Sequence, residues 1–235
     1  MKNILDVIFP KRCIFCEKAL AIGEKERVCA ECSKRMLYTS EPYCMKCGKE
    51  LENTEKEYCS DCEKRQHIYD RGVSVFRYGE DVRKAILRLK YSNRRENGKY
   101  FGSVMAKKYG QLIRQWNAEA IIPVPIHSSR RRKRGFNQAE IIADELSKNT
   151  GVPVDSFLIE RQKKTLPQKE LNDNDRKKNV ECAFKICRSI VKYKSVVVID
   201  DIYTTGYTID ECARVLKNAG VKNIYFITVS IGYET

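Results

Sequence analysis

The sequence has no long hydrophobic run and very little histidine. No apolar stretch approaches the roughly 20 residues that a membrane-spanning helix needs, and the N-terminal segment MKNILDVIF is short and interrupted by Asp6, unlike a signal peptide. We therefore expect a cytoplasmic protein without membrane insertion, in which this segment is a short amphipathic lead-in. The two histidines, His67 and His127, lie too far apart in sequence to be argued as a metal-binding pair.

Acidic residues are too few to balance the basic ones in one part of the chain. The 235 residues include 45 Lys and Arg against 31 Asp and Glu, a net charge of +14. Residues 1–70 hold 13 basic and 13 acidic side chains, so the whole excess lies in residues 71–235. We expect a small module over 1–70 and a larger domain over 71–235. A basic domain favours an anionic partner, either a phosphate-rich small ligand or nucleic acid, although a solvated lysine-rich surface would look the same.

Cysteine, in contrast, is abundant and clustered. Eight of the 11 cysteines fall within the first 62 residues as CxxC pairs, namely Cys13/Cys16, Cys29/Cys32, Cys44/Cys47 and Cys59/Cys62. In a cytoplasmic chain this spacing predicts zinc rather than disulfides. Four thiolates close a tetrahedral site with no open position, so we expect two structural zinc ions. The remaining cysteines lack this spacing and are expected to be small buried residues, namely Cys182, Cys187 and Cys212.

An internal repeat indicates how the CxxC pairs combine. The unit from Cys16 to Cys32, with Lys18 and Leu20, is matched by the unit from Cys47 to Cys62, with Lys49 and Leu51. A duplicated unit should carry a complete site. We therefore pair the first CxxC with the second and the third with the fourth, as tandem ribbons, while an interleaved cross-brace is the alternative.

Residues 196–208, VVVIDDIYTTGYT, have the composition of a ligand site. Val196–Ile199 suits a strand that is buried on both faces of a parallel sheet. Asp200 and Asp201 follow at its carboxyl end, where open α/β sheets bind ligands. The loop Thr204–Thr208 offers hydroxyls and backbone N–H groups at the start of a helix, which suits a phosphate. Carboxylates beside a phosphate loop suit a sugar phosphate.

The rest of residues 71–235 alternates between strand and helix patterns. This alternation predicts an α/β fold with a parallel sheet. The expected strands are Gly72–Tyr78, Ala120–Val124, Ser156–Glu160, Ala183–Ile186 and Ile224–Ser230, and the expected helices are Glu80–Leu89, Gly98–Trp116 and one that begins with an Asn137/Glu140 capping box and ends at Gly151.

The 13-residue run resembles the phosphoribosyl-pyrophosphate motif of type I phosphoribosyltransferases. The resemblance implies that Asp200 and Asp201 are the catalytic pair and hold the ribose hydroxyls of phosphoribosyl pyrophosphate, which is bound with Mg²⁺. It also implies that the loop holds the 5′-phosphate through Thr204, Thr205, Gly206, Tyr207 and Thr208.

Two further segments are expected to serve this site. Arg130–Arg134 closely follows the loop after Ala120–Val124, a loop that often contacts pyrophosphate in this fold, and arginine suits such an anion. Residues 161–180 are polar and without clear periodicity, which is typical of a functional lid or a disordered segment. The resemblance implies a lid, because phosphoribosyltransferases close such a segment over the reaction centre. We expect pyrophosphate or lid roles for Arg134, Arg161 and Arg176.

Nearly the whole chain resembles one family, the ComF/GntX-like competence proteins. Residues 134–138 read RGFNQ, a signature of that family, and the cysteine module resembles its double zinc ribbon. The lid matches the same family at Arg161, Thr165, Gln168, Leu171, Arg176, Asn179, Ala183 and Phe184. This resemblance implies a role in DNA uptake during natural transformation, with single-stranded DNA and proteins of the uptake machinery as partners.

Two alternatives remain from the sequence. One is a salvage phosphoribosyltransferase that transfers ribose 5-phosphate to a base, and the other is a non-catalytic sensor of phosphoribosyl pyrophosphate. The double ribbon favours the competence reading, since a salvage enzyme needs no such module and the chain shows no segment suited to recognising a base. The motifs do not identify an acceptor.

Overall fold

A computed structural model describes residues 10–24, 26–163, 182–188 and 192–232. The expected lead-in at residues 1–9 and most of the expected lid, including Arg176, lie outside these ranges.

Each ribbon contributes one short helix, and the larger domain contributes the other helices of the described ranges. The ribbon helices begin within the second CxxC of each unit and are α1 (Ala30–Arg35) and α2 (Ser60–Lys64). The other helices are α3 (Glu80–Tyr91), α4 (Arg95–Gln115), α5 (Ser128–Arg134), α6 (Gln138–Thr150) and α7 (Tyr207–Asn218).

The strands form a parallel sheet and a separate hairpin. The parallel sheet has the order β1-β6-β5-β2 and contains β1 (Arg71–Arg77), β2 (Ala120–Pro123), β5 (Ser195–Tyr203) and β6 (Asn223–Ile231). The predicted parallel α/β fold is thus confirmed. The other two strands, β3 (Ile159–Arg161) and β4 (Phe184–Ile186), pair with each other in antiparallel fashion.

Alternate residues of β5 face two different cores because successive side chains of a strand point to opposite faces. Val197 and Ile199 belong to the core formed with α3, α4 and α6. Val196 and Val198 belong to the core formed with α7 and the hairpin. The chain therefore leaves β2 towards one face and β5 towards the other, which opens a crevice between the carboxyl ends of these neighbouring strands.

The two ribbons pack on opposite faces of this sheet. Cys13, Ile14 and Phe15 of the first ribbon join the core of α3, α4 and α6. Cys44 and Cys59 of the second ribbon join the core that includes α7. Between the ribbons, residues 37–39 run antiparallel to β1 and hydrogen-bond to it, which covers the outer edge of the sheet.

The structure differs from the sequence-based prediction in several places. The segments predicted as sheet strands near 156–160 and 183–186 form the separate hairpin. Arg130–Arg134, predicted to lie behind a loop, belongs to α5, which ends at Gly135 in the left-handed conformation. The capping box is only half formed. Asn137 accepts a hydrogen bond from the N–H of Ala139, but Glu140 pairs with Arg131 instead of the N-cap.

Candidate functional site

The cysteines form two separate tetrads, one in each repeat unit. In each tetrad the four sulfur atoms lie within 4.8 Å of one another, and the tetrads are Cys13, Cys16, Cys29 and Cys32, and Cys44, Cys47, Cys59 and Cys62. Two Sγ–Sγ distances are 3.7 Å, from Cys16 to Cys29, and 3.6 Å, from Cys47 to Cys59. A tetrahedral zinc site with Zn–S bonds of about 2.3 Å requires sulfurs about 3.8 Å apart. The tetrads therefore suit two structural zinc ions in tandem ribbons, and the interleaved alternative is wrong.

A cleft of about 1070 Å³ opens at the carboxyl ends of β2 and β5. Asp200 and Asp201 line it from within the last four residues of β5, which extends past the predicted strand to Tyr203, and Thr204 and Thr208 of the loop that follows also line it. This is the crevice at which the connections from β2 and β5 leave for opposite faces of the sheet. The topology thus brings the acid pair and the phosphate loop of the sequence motif to one position.

The two carboxylates of the acid pair differ in their surroundings. Asp201 is buried and forms an ion pair with Lys90 of α3, whose side chain is 19% exposed. Burial alone would raise the pKa of Asp201, but Lys90 holds it below its ordinary value. Burial raises the pKa of Asp200 well above its ordinary value, and the neighbouring charge of Asp201 adds to the rise. Asp201 is therefore neutralised by a lysine, and Asp200 is the less deeply buried of the two carboxylates that line the cleft.

The phosphate loop turns sharply at Gly206, the N-cap of α7. Gly206 has a φ of +79°, and a Cβ there would lie 2.5 Å from the hydroxyl oxygen of Tyr203 and 3.1 Å from Cε1 of His67. Only glycine fits this position without strain. The Oγ1 atom of Thr205 is buried and has no hydrogen-bond partner among the described residues. The loop thus presents an unsatisfied hydroxyl beside the positive end of a 12-residue helix, an arrangement that suits a phosphate.

The rest of the wall of the cleft is basic. Besides Lys90, its basic lining residues are Arg83, Arg95, Arg130, Lys133, Arg134 and Arg161, against two acidic ones. The guanidinium of Arg134 lies 5.4 Å from the ring centroid of Tyr91, which is 74% exposed. Of the sequence-predicted residues, Arg134 and Arg161 therefore lie in the cleft with the acid pair.

The aromatic residues near the basic clusters have different environments. Tyr91 is exposed at the cleft. Phe136 is 7% exposed and lies beneath Arg95, and Tyr100 packs edge-on against Phe15 and Phe101. Tyr91 is thus the aromatic of these three whose ring is open to the cleft.

Sequence reasoning missed four residues that contact the site. The first is Lys90, which forms an ion pair with Asp201. The other three are Asp210 of α7 and the two residues that contact its carboxylate, Arg65 and His67. A signal existed for Lys90 because it continues the buried row of Val82 and Ile86 at four-residue spacing. A lysine in an apolar row indicates a partner carboxylate. No sequence pattern pointed to the other three.

The remaining polar and cysteine predictions have mixed outcomes. His127 caps α5 by accepting a hydrogen bond from the N–H of Ser129. Cys212 is buried as predicted, but Cys182 and Cys187 are exposed, which corrects the expectation for these two. No helix in the described ranges is long and apolar enough to cross a membrane.

Comparison with known proteins finds relatives along most of the chain. Residues 4–63 match the double zinc ribbon domain family, and residues 105–231 match the phosphoribosyl transferase domain family. The chain is 33% identical to Competence protein F of Haemophilus influenzae, with 92% of this chain and 95% of that protein covered. It is 29% identical to DNA utilization protein YhgH of Salmonella typhi, with 66% and 70% covered. It is 26% identical to Competence protein ComFC of Bacillus subtilis, with 63% and 58% covered.

Proposed function

Since the chain belongs to the competence protein F family, we propose that it acts in DNA uptake and use in the cytoplasm. Its α/β domain binds phosphoribosyl pyrophosphate with Mg²⁺, and the basic rim of the same cleft binds single-stranded DNA. Relatives named for competence and for DNA utilization support the first part of this proposal. The proposal also includes the division of the chain into a ribbon module over residues 1–70 and an α/β domain over residues 71–235.

One observation carries the ligand assignment, namely the joint position of the acid pair and the phosphate loop in one cleft. Asp200 accepts hydrogen bonds from the ribose hydroxyls, and Thr204–Thr208 hold the 5′-phosphate through hydroxyls and backbone N–H groups. The basic wall, with Arg134 and Arg161, faces the pyrophosphate. The cleft is large enough for such a ligand, because small-molecule sites usually measure about 300–1,000 Å³.

Magnesium suits this site as a partner of the ligand. Mg²⁺ prefers oxygen ligands and is often bound through one or two carboxylates together with substrate phosphates. Since Lys90 already neutralises Asp201, the acid pair alone lacks the charge of an all-protein metal site. The ion therefore comes with the pyrophosphate, and Asp200 is the carboxylate that faces it.

DNA binding rests on the charge and shape of the same region. Arg130 and Lys133 lie at the cleft, and Tyr91 is exposed beside Arg134. Basic grooves with an exposed aromatic ring bind single strands by contacting phosphates and stacking on bases. The strand would therefore follow α5 and the end of α3.

Calorimetry with phosphoribosyl pyrophosphate and Mg²⁺ tests the ligand assignment. Asp200→Asn removes a charged acceptor, and a charge-assisted hydrogen bond contributes about 1.5–3 kcal/mol, or about one to two decades of affinity. Asp144→Asn, at an exposed position of α6, is the matched control and should bind like the wild type. Absence of binding by the wild type at millimolar ligand would refute the assignment.

A further inference from the structure

The phosphate loop is held from behind by the segment that follows the second zinc ribbon. Arg65 donates one hydrogen bond to the carbonyl oxygen of Thr205, at 3.1 Å, and another to Oδ2 of Asp210, at 3.0 Å. Its guanidinium also lies 3.5 Å from the centroid of the Tyr207 ring. A single arginine thus contacts the loop, the first residue of α7 and the first turn of that helix.

Asp210 receives two more hydrogen bonds from the same segment. His67 donates through Nδ1 to Oδ2 of Asp210 at 2.7 Å, and the backbone N–H of Ile68 donates to Oδ1 at 2.8 Å. The side chains of His67 and Asp210 are only 1% and 9% exposed. Both oxygens of this carboxylate are therefore bound by groups between the second ribbon and β1.

These contacts remove an electrostatic conflict. Asp210 lies in the first turn of α7, the helix end that favours an anion. A free carboxylate at this end would repel a phosphate bound at the loop. Arg65, His67 and the N–H of Ile68 engage the charge of Asp210, which offsets this repulsion.

The internal repeat provides a counterpart that does not reach the loop. Arg35 follows Cys32 by three residues, as Arg65 follows Cys62. Arg35 lies 3.6 Å from Asp81 of α3, and both side chains are well exposed. The first ribbon packs on the face of the sheet opposite α7. The duplicated unit thus makes a corresponding contact in each half, but only the second contact supports the phosphate loop.

We propose that Arg65 and His67 are positioning residues of the phosphate loop and that, through them, the second zinc ribbon sets the affinity of the chain for a 5′-phosphate group. This inference rests on the proposed sugar-phosphate site. It assigns the ribbon a direct role in ligand binding in addition to its contribution to folding.

The experiment compares Arg65→Ala with Arg35→Ala, which removes the same charge at the corresponding position of the first ribbon. Hydrogen exchange of the backbone amides of residues 204–210 and calorimetric binding of ribose 5-phosphate are the two measurements. The zinc content of each variant is determined in parallel, so that metal loss is recognised. Arg65→Lys, which keeps the charge but not the two-pronged guanidinium, is the conservative variant.

In Arg65→Ala we expect faster hydrogen exchange in residues 204–210 and unchanged exchange in β6. The dissociation constant for ribose 5-phosphate should rise by about 5- to 150-fold, which is the usual range for coupled sites. Arg65→Lys should fall between this variant and the wild type, and Arg35→Ala should match the wild type.

Exchange in residues 204–210 that is equal in Arg65→Ala and Arg35→Ala would overturn the inference, whether or not the sugar phosphate binds. Absence of ribose 5-phosphate binding by the wild type would instead overturn the proposed site. The exchange measurement would then still decide whether Arg65 holds the loop.

Discussion

The ion pair between Lys90 and Asp201 leads to a quantitative prediction about stability. Lys90→Gln keeps a residue of similar helix propensity but leaves Asp201 buried beside Asp200 without its cation. Removing one partner of a buried ion pair typically costs about 3–5 kcal/mol. Since the side chain of Lys90 is 19% exposed and that of Asp201 only 6%, most of this penalty should apply.

Protonation of Asp201 limits the penalty and makes it depend on pH. Keeping a carboxyl of ordinary pKa 3.8 protonated at pH 7 costs about 4.4 kcal/mol, because each pH unit corresponds to about 1.36 kcal/mol. In the wild type the lowered pKa of Asp201 contributes stability above the ordinary pKa, and this contribution is lost as the pH falls. In the variant the raised pKa reverses the sign, so the folded state binds the extra proton and loses stability as the pH rises.

Urea unfolding at pH 5.5 and pH 7 measures this difference. The single tryptophan, Trp116, is buried and stacks on Tyr225 at 4.3 Å, so its fluorescence reports on the α/β domain. We expect Lys90→Gln to lower the free energy of unfolding by about 3–4 kcal/mol at pH 7. At pH 5.5 this loss should be about 2 kcal/mol smaller.

The matched control is Lys84→Gln, on the same helix, where the lysine forms an exposed pair with Glu80. It should leave the free energy of unfolding unchanged at both pH values, because exposed pairs contribute little. A stability loss for Lys90→Gln that is the same at both pH values would refute the role given to Asp201.

Two further predictions concern the metal and the DNA. Cys13→Ser should lower the zinc content, measured by elemental analysis, from two ions to one per chain because the tetrads are separate. The control Cys182→Ser, at an exposed cysteine, should keep both ions. Loss of both ions in Cys13→Ser would contradict independent sites. Single-stranded DNA should bind with a log–log salt slope of about −2 to −3.5 for roughly 3–5 phosphates, measured by fluorescence anisotropy. The double variant Arg130→Glu/Lys133→Glu, at the cleft, should flatten this slope. The control Lys99→Glu/Lys107→Glu, at exposed positions of α4, should leave the slope unchanged. Equal effects of the two double variants would argue against a DNA path along the cleft.

Local patterns in the sequence were sufficient for several conclusions. The CxxC spacing and the internal repeat determine the two tetrads, because each ribbon brings its own four thiolates together over a short stretch of chain. The apolar run at Val196–Ile199 indicates an inner strand of the sheet, since a strand that is buried on both faces lacks polar alternation. The order of acids, loop and glycine after that run likewise identifies the candidate ligand site, because all its parts lie within 13 consecutive residues.

Contacts between distant residues were decided only by the tertiary structure. Lys90 meets Asp201, and Arg65 meets Asp210, across more than 100 residues of chain, so no local pattern could pair them. Packing also decided that Phe136 is covered and Tyr91 is exposed, although both lie near arginines in sequence. The same holds for the two ribbons. Their repeat is readable in the sequence, but the sheet between them places one against α3 and the other against the phosphate loop.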